Sequence, residues 1–190
     1  MSTTIATPPA ETVNGIDVAA VKQLVANVEQ DPAAGITNWR VVSNWQGQTW
    51  SRAHVEEYGM SGKKVERQFT IDIDEPHELG GSNRFANPQE MLLAALNACM
   101  IVGYAAQCAL MGITLTHLEI ETKGDIDLRG FFGLSKDVKP GYDALNYTVH
   151  IAGDGTPEQF AQVHEAVMQT SPNFHNVSRQ VALRPEFVVM

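Results

Sequence analysis

The most reactive side chains in the chain are two sulfurs, Cys99 and Cys108, both inside a long apolar stretch. Nine residues of helix would separate them by about 900° of rotation and about 13 Å of rise, so they face opposite sides. They cannot form an intrachain disulfide, which needs Cα atoms within about 7 Å. Each sulfur must act, or pack, alone. A mid-helix site lacks the favourable field that a helix N-terminus offers a thiolate, so activation needs a cation brought in by folding, with Arg84 or a His as candidates. Without such a neighbour, a Cys in an apolar helix is a small buried hydrophobe, and Cys108 is read that way.

Other chemistry is sparse. Asp72, Asp74, Glu75, His77 and Glu78 place two carboxylates on one face of a strand, but the calcium-loop pattern is missing and a solvated strand end accounts for them. Gly62-Lys63-Lys64 lacks the upstream Gly and the hydroxyl residue of a phosphate loop, and Gly80-Gly81 lacks dinucleotide spacing, so both read as turns. No Gly-x-Ser-x-Gly elbow surrounds Ser171. Neither a metal nor a cofactor is expected.

The elements that must position these groups follow from patterning. With 190 residues, 44% hydrophobic, the chain can bury the core of one domain, or of a domain with an appendage. Its 13 Lys and Arg against 22 Asp and Glu give a net charge of −9 with no cationic run, which argues against nucleic acid or an anionic membrane as a partner. Two cysteines are too few for a secreted disulfide scaffold or a four-cysteine zinc site. The N-terminus has neither the basic flank nor the apolar run of a secretory signal, so a cytoplasmic protein is expected.

Residues 1–15, rich in Thr, Pro and Ala, read as a mobile tail. Residues 16–32 read as a helical appendage, with Asp17 as cap, Val18, Val21, Leu24, Val25 and Val28 as an apolar stripe, and Asp31-Pro32 as the stop. Strand-like stretches near 37–46, 49–58 and 64–74 suggest an antiparallel meander. Asn87-Pro88-Gln89-Glu90 then starts a helix, with a capping side chain, Pro at the first position and Glu three residues after the cap. This helix runs to about Met111, is apolar on nearly all sides, and is long enough to span a bilayer. The nearest basic residues, Arg84 and Lys123, form no flanking cationic cluster, so it reads as a buried helix. Covering it on every side is more than a short chain supplies, which implies a second subunit. Strands near 114–128 and 143–152, a capped helix from Thr156, a break at Ser171-Pro172 and a last strand over 181–189 complete an α+β order.

The run from Asn87 to Cys99, with its Asn-Pro start, first-turn Glu, small and apolar body and Cys eleven residues beyond the Pro, resembles the helix signature of the OsmC-like proteins, which include the organic hydroperoxide resistance enzymes. Gly112-Ile113 ends the helix where that family has its Gly, and Ser171-Pro172 falls where the enzymes carry Cys-Pro. The resemblance covers about residues 38–189 and implies an OsmC-like domain over 36–190, with antiparallel sheets around a long central helix in an intertwined homodimer. It also implies that Cys99 is the peroxidatic thiol attacking a hydroperoxide. The position of the second, resolving sulfur is Ser171. Gln89 stands where the enzymes have a Glu that pairs with an Arg beside the thiolate; Glu90 matches the next position, and Arg84 is near the right place for the Arg. His175, four residues after Ser171, could approach Cys99 in the family's packing. The implied activity is a one-Cys peroxidase using an external thiol reductant, in oxidative or osmotic stress defence. The alternative is a non-catalytic dimer binding a small apolar or thiol-containing ligand.

Overall fold

The structure is a computed structural model that describes residues 12–190, and the chain divides into two compact units, Met1–Leu92 and Leu93–Met190. Residues 1–11 of the expected tail lie outside the described residues. Residues 12–15 are not a tail: β1 (Thr12–Val13) pairs antiparallel with β2 (Ile16–Asp17). The two-residue turn Asn14-Gly15, with φ of 54° and 75°, supplies the backbone that a tight hairpin requires. Helix α1 (Val18–Gln30) starts where the Asp17 side chain accepts the Ala20 N–H, and a turn of 3-10 helix, Pro32–Gly35, ends it. Its stripe is left open, with none of its residues buried.

The first unit then forms a sheet around one long strand. The expected strand over 37–46 breaks at Arg40-Val41 into β3 (Thr37–Trp39) and β4 (Val42–Trp45). Both halves lie antiparallel along one edge of β5 (Ser51–Met60), with Thr37 opposite Met60 and Trp45 opposite Ser51. Strand β6 (Lys63–Ile73) lines the other edge after the positive-φ turn Ser61-Gly62, and a bulge near Val55 adjusts its register.

Helix α2 (Pro88–Leu110) begins with a reciprocal cap: Asn87 Oδ1 accepts the Glu90 N–H at 2.8 Å, and Glu90 Oε2 accepts the Asn87 N–H at 2.7 Å. It ends in a Schellman arrangement around Gly112, at φ 72°, with the Ile113 N–H reaching back to the Cys108 carbonyl. By length and composition α2 could cross a membrane, but one stripe of it, Leu96, Met100, Tyr104 and Cys108, forms the spine of the second unit's core.

That core is completed by β7 (Leu115–Lys123), β8 (Asn146–Gly153), α4 (Pro157–Thr170) and α5 (Pro172–Ser178), while the short helix α3 (Leu128–Phe131) between the two strands buries none of its residues. Strands β7 and β8 pair antiparallel and offer Ile120, Leu118, Val149 and Ile151 to the core, while α4 contributes the buried Val163 and Val167. Helix α4 opens with the full Thr156/Gln159 capping box. Helices α2 and α4 approach closely at Gly103, where a Cβ would stand 3.2 Å from Val167 Cγ2. Asn97 ties α2 to the sheet, donating to the Ile120 carbonyl and accepting from Thr122 Oγ1. The expected last strand over 181–189 does not form: those residues enter no ladder, and Leu183 and Phe187 are exposed. A strand needs a partner for its backbone groups, and this segment pairs with none among the described residues.

Candidate active site

Cys99 and Ser171 are brought together within the second unit. Cys99 lies beside the buried stripe of α2, three residues after Leu96, and is half-buried. Opposite it, the chain turns from α4 into α5. Ser171 closes α4 by donating its N–H to the Val167 carbonyl, and its Oγ caps α5 by accepting the Phe174 N–H. Pro172, at the first position of α5, has no N–H to leave unpaired. This corner buries Ser171 and aims its hydroxyl at Cys99, donating to Sγ at 3.4 Å. The Asn173 N–H donates to the same sulfur at 3.5 Å, and its side-chain amide holds the α2 backbone by donating to the Ala95 carbonyl at 2.9 Å. Two donors thus converge on the sulfur of a half-buried residue, an arrangement suited to hold negative charge on it.

Cys108 sits in a contrasting environment. It is fully buried in the core, and that burial pushes its thiol up, so it stays protonated and inert. His175 is turned to the end of α4, with Nε2 2.8 Å from the Gln169 carbonyl. Glu90 serves the α2 cap. Arg84 is exposed, its guanidinium 4.7 Å from the Trp50 ring centre and 5.6 Å from that of Phe85, with Nε donating to Ser82 Oγ.

The acidic stretch is not a solvated strand end. Asp72 accepts from Trp50 Nε1 and pairs with Arg52 at 2.8 Å. Asp74 is buried and accepts from Ser82 Oγ, the Ser82 N–H and Thr49 Oγ1, which hold its carboxyl well below the usual carboxylate range. It pins the loop that leads to α2. Gly81 in that loop permits no side chain, because a Cβ would stand 1.8 Å from the Glu75 carbonyl oxygen.

Sequence reasoning missed Asn173, whose backbone proton and side-chain amide both serve the corner. The Ser-Pro pair marked the turn, yet nothing local says that the second residue of the next helix donates to a sulfur 74 positions away.

The sequence from residue 81 to 186, more than half of the chain, matches the OsmC-like protein family. No curated protein matches the chain. Among solved structures, the OsmC-like protein of Mycoplasma pneumoniae is similar at 16% identity, with a TM-score of 0.56 over 74% of this chain and 87% of that one. A Psychrobacter arcticus 273-4 protein, named for osmotic stress induction and a detoxification response, gives 13% identity and a TM-score of 0.54 over 70% and 84%. A Legionella pneumophila protein named an organic hydroperoxide resistance protein gives 15% and a TM-score of 0.47 over 74% and 88%. At such identities the structural likeness speaks for the fold alone, and it agrees with the sequence match that begins ahead of α2 and extends past α5. With the capped α2, its cysteine and the Ser-Pro corner all inside the matched span, the chain belongs to the OsmC-like family.

Proposed function

We propose that this protein is a one-Cys thiol peroxidase for organic hydroperoxides, with Cys99 as its nucleophile, serving stress defence in the cytoplasm. The observation that carries this reading is that half-buried Cys99 has its sulfur held by two donors, Ser171 Oγ and the Asn173 N–H. The Cys99 thiolate attacks the terminal peroxide oxygen, the O–O bond breaks, and the alkoxide leaves and takes a proton from solvent. Sulfur is oxidised to the sulfenic acid and the peroxide is reduced to the alcohol. Ser171 has no sulfur with which to resolve this product, so a small thiol condenses with it, releasing water and leaving a mixed disulfide. A second thiol attacks that bond, returning Cys99 and releasing the oxidised reductant. Ser171 and Asn173 position the sulfur and stabilise charge on it. Arg84, Glu90 and His175 have local structural partners, and the proposed cycle rests on the Ser171 corner.

The active assembly is proposed to be a homodimer. Outside its buried stripe, α2 exposes Ile101 and Val102, Met111 is exposed just past its end, and residues 181–190 expose further apolar side chains, more open apolar surface than an isolated chain normally leaves in contact with water.

The test is consumption of cumene hydroperoxide with added dithiol, together with sulfenic-acid trapping. Turnover with trapping at Cys99 but not Cys108, both lost in Cys99→Ser, is the expected result; unchanged peroxide consumption by Cys99→Ser overturns the proposal. Ser171 in place of a second sulfur favours one other reading, a non-catalytic dimer binding a small apolar or thiol-containing ligand. That reading requires ligand-induced thermal stabilisation in the Cys99→Ser protein with no peroxide turnover in the parent.

A further inference from the structure

A second group of reactive side chains lies in the second unit away from the sulfur. Tyr104 on α2 is fully buried, and its hydroxyl is hydrogen-bonded to His164 Nδ1 on α4, the two rings stacked with centroids 6.0 Å apart. Burial pushes the Tyr104 phenol up to about 12, so at neutral pH it keeps a proton that it can donate to Nδ1. In the tautomer that accepts this bond at Nδ1, the imidazole carries its N–H on Nε2. His164 Nε2 and the Tyr147 hydroxyl have no hydrogen-bond partner among the described residues. The Tyr147 ring stands 6.4 Å from that of His164, and its hydroxyl is close enough to Tyr104 to oppose that residue's ionisation. These groups line an open-sided cavity of about 430 Å³ flanked by Val149, Ile151 and Phe160, with neither a carboxylate nor a Lys or Arg in its lining.

We propose that this cavity is a binding site for a small planar aromatic molecule carrying a neutral carbonyl acceptor. Its size suits one or two rings. The walls offer ring faces and aliphatic side chains, while His164 Nε2–H and the Tyr147 O–H are two donors with no acceptor of their own. The lining has no Lys or Arg to pair with a carboxylate, so a neutral carbonyl fits better than a full anion. The Tyr104 bond fixes the His164 tautomer, so Tyr104 is a positioning residue whose hydroxyl stays engaged with the imidazole. None of these residues takes part in the proposed peroxide cycle, and the site stands or fails independently of Cys99.

The experiment is an NMR titration of the Cys99→Ser protein with acetophenone as probe, following the ring signals of His164, Tyr147 and Phe160. Saturable shifts of all three, with ethylbenzene binding at least tenfold more weakly, are expected. Tyr147→Phe keeps the ring and removes one donor; a roughly tenfold loss of acetophenone affinity, the order expected for one hydrogen bond, is expected with unchanged ethylbenzene binding. Absence of shifts up to roughly 10 mM probe, a range that detects even weak fragments, overturns the site. Equal binding of the two probes, or a Tyr147→Phe protein that binds acetophenone as before, overturns the acceptor specificity and with it the proposal.

Discussion

Two cysteines of one helix have opposite properties because of what surrounds each sulfur. Cys108 is sealed among apolar side chains, whereas Cys99 faces a hydroxyl and an amide proton. The serine lies close enough to serve as a resolving residue, and only its chemistry prevents that. In Ser171→Cys, peroxide should therefore drive a disulfide between Cys99 and the new thiol, seen as loss of both from a thiol titration while Cys108 remains reduced. Removing the hydroxyl in Ser171→Ala deletes the cap of α5 as well as a donor to sulfur, and should cost about 1 kcal/mol of stability in urea denaturation while slowing sulfenic-acid formation at Cys99. Asp74 makes a different prediction. Its carboxyl is depressed by Ser82 and Thr49, so its contribution is complete above the unfolded value near 3.8 and is lost as pH falls toward the folded value. Urea midpoints should decline for the parent protein as pH falls from about 4 toward about 2, and decline less for Asp74→Asn.

At the scale of elements, position at the site depends on how α2, α4 and α5 pack. Gly103 lets α4 approach α2 until Val167 is fully buried, and the Val167 carbonyl holds the Ser171 N–H. A larger side chain at Gly103 must push Val167 away, and the displacement passes directly to the corner beside Cys99. Gly103→Val should lose about 1–3 kcal/mol by chemical denaturation, the usual cost of overpacking, and should also slow sulfenic-acid formation at Cys99. The local signals for these elements were strong. The Asn87 and Thr156 capping boxes fix both helix starts from within four residues, and the alternation read near 143–152 finds β8, which starts three residues later at Asn146. Less of the first unit could be read. The break at Arg40-Val41, which divides one expected strand between two parts of β5, follows from the shape of β5 and carries no turn residue to announce it.

The whole molecule presents apolar surface that its own elements leave open. The apolar α2 was expected to need cover beyond what one chain provides, and its exposed Val102 and Ile101 are consistent with that need. Light scattering should give a native mass near twice the chain's 20.8 kDa. Val102→Glu should shift the population toward the monomer, because a carboxylate in a closed apolar interface has no partner. A parent protein that stays monomeric at micromolar concentration overturns the dimer.

The sequence by itself determined the α+β class, the extent of α2, the family resemblance, and the choice of Cys99 with Ser171 as its counterpart. These depend on near neighbours or on motifs, where caps, prolines and periodicity act over a few residues. Only the tertiary structure decided that Ser171 Oγ and the Asn173 N–H meet one sulfur, that Asp74 is buried instead of solvated, and that Tyr104 and His164 form a pair. The partners in those contacts are 8 to 74 residues apart, and most of them are far apart in sequence. Their meeting depends on packing between elements, which no local pattern encodes. The missing strand over 181–189 shows the same limit: alternation records a tendency to extend, while a ladder also requires an edge with free hydrogen-bonding groups.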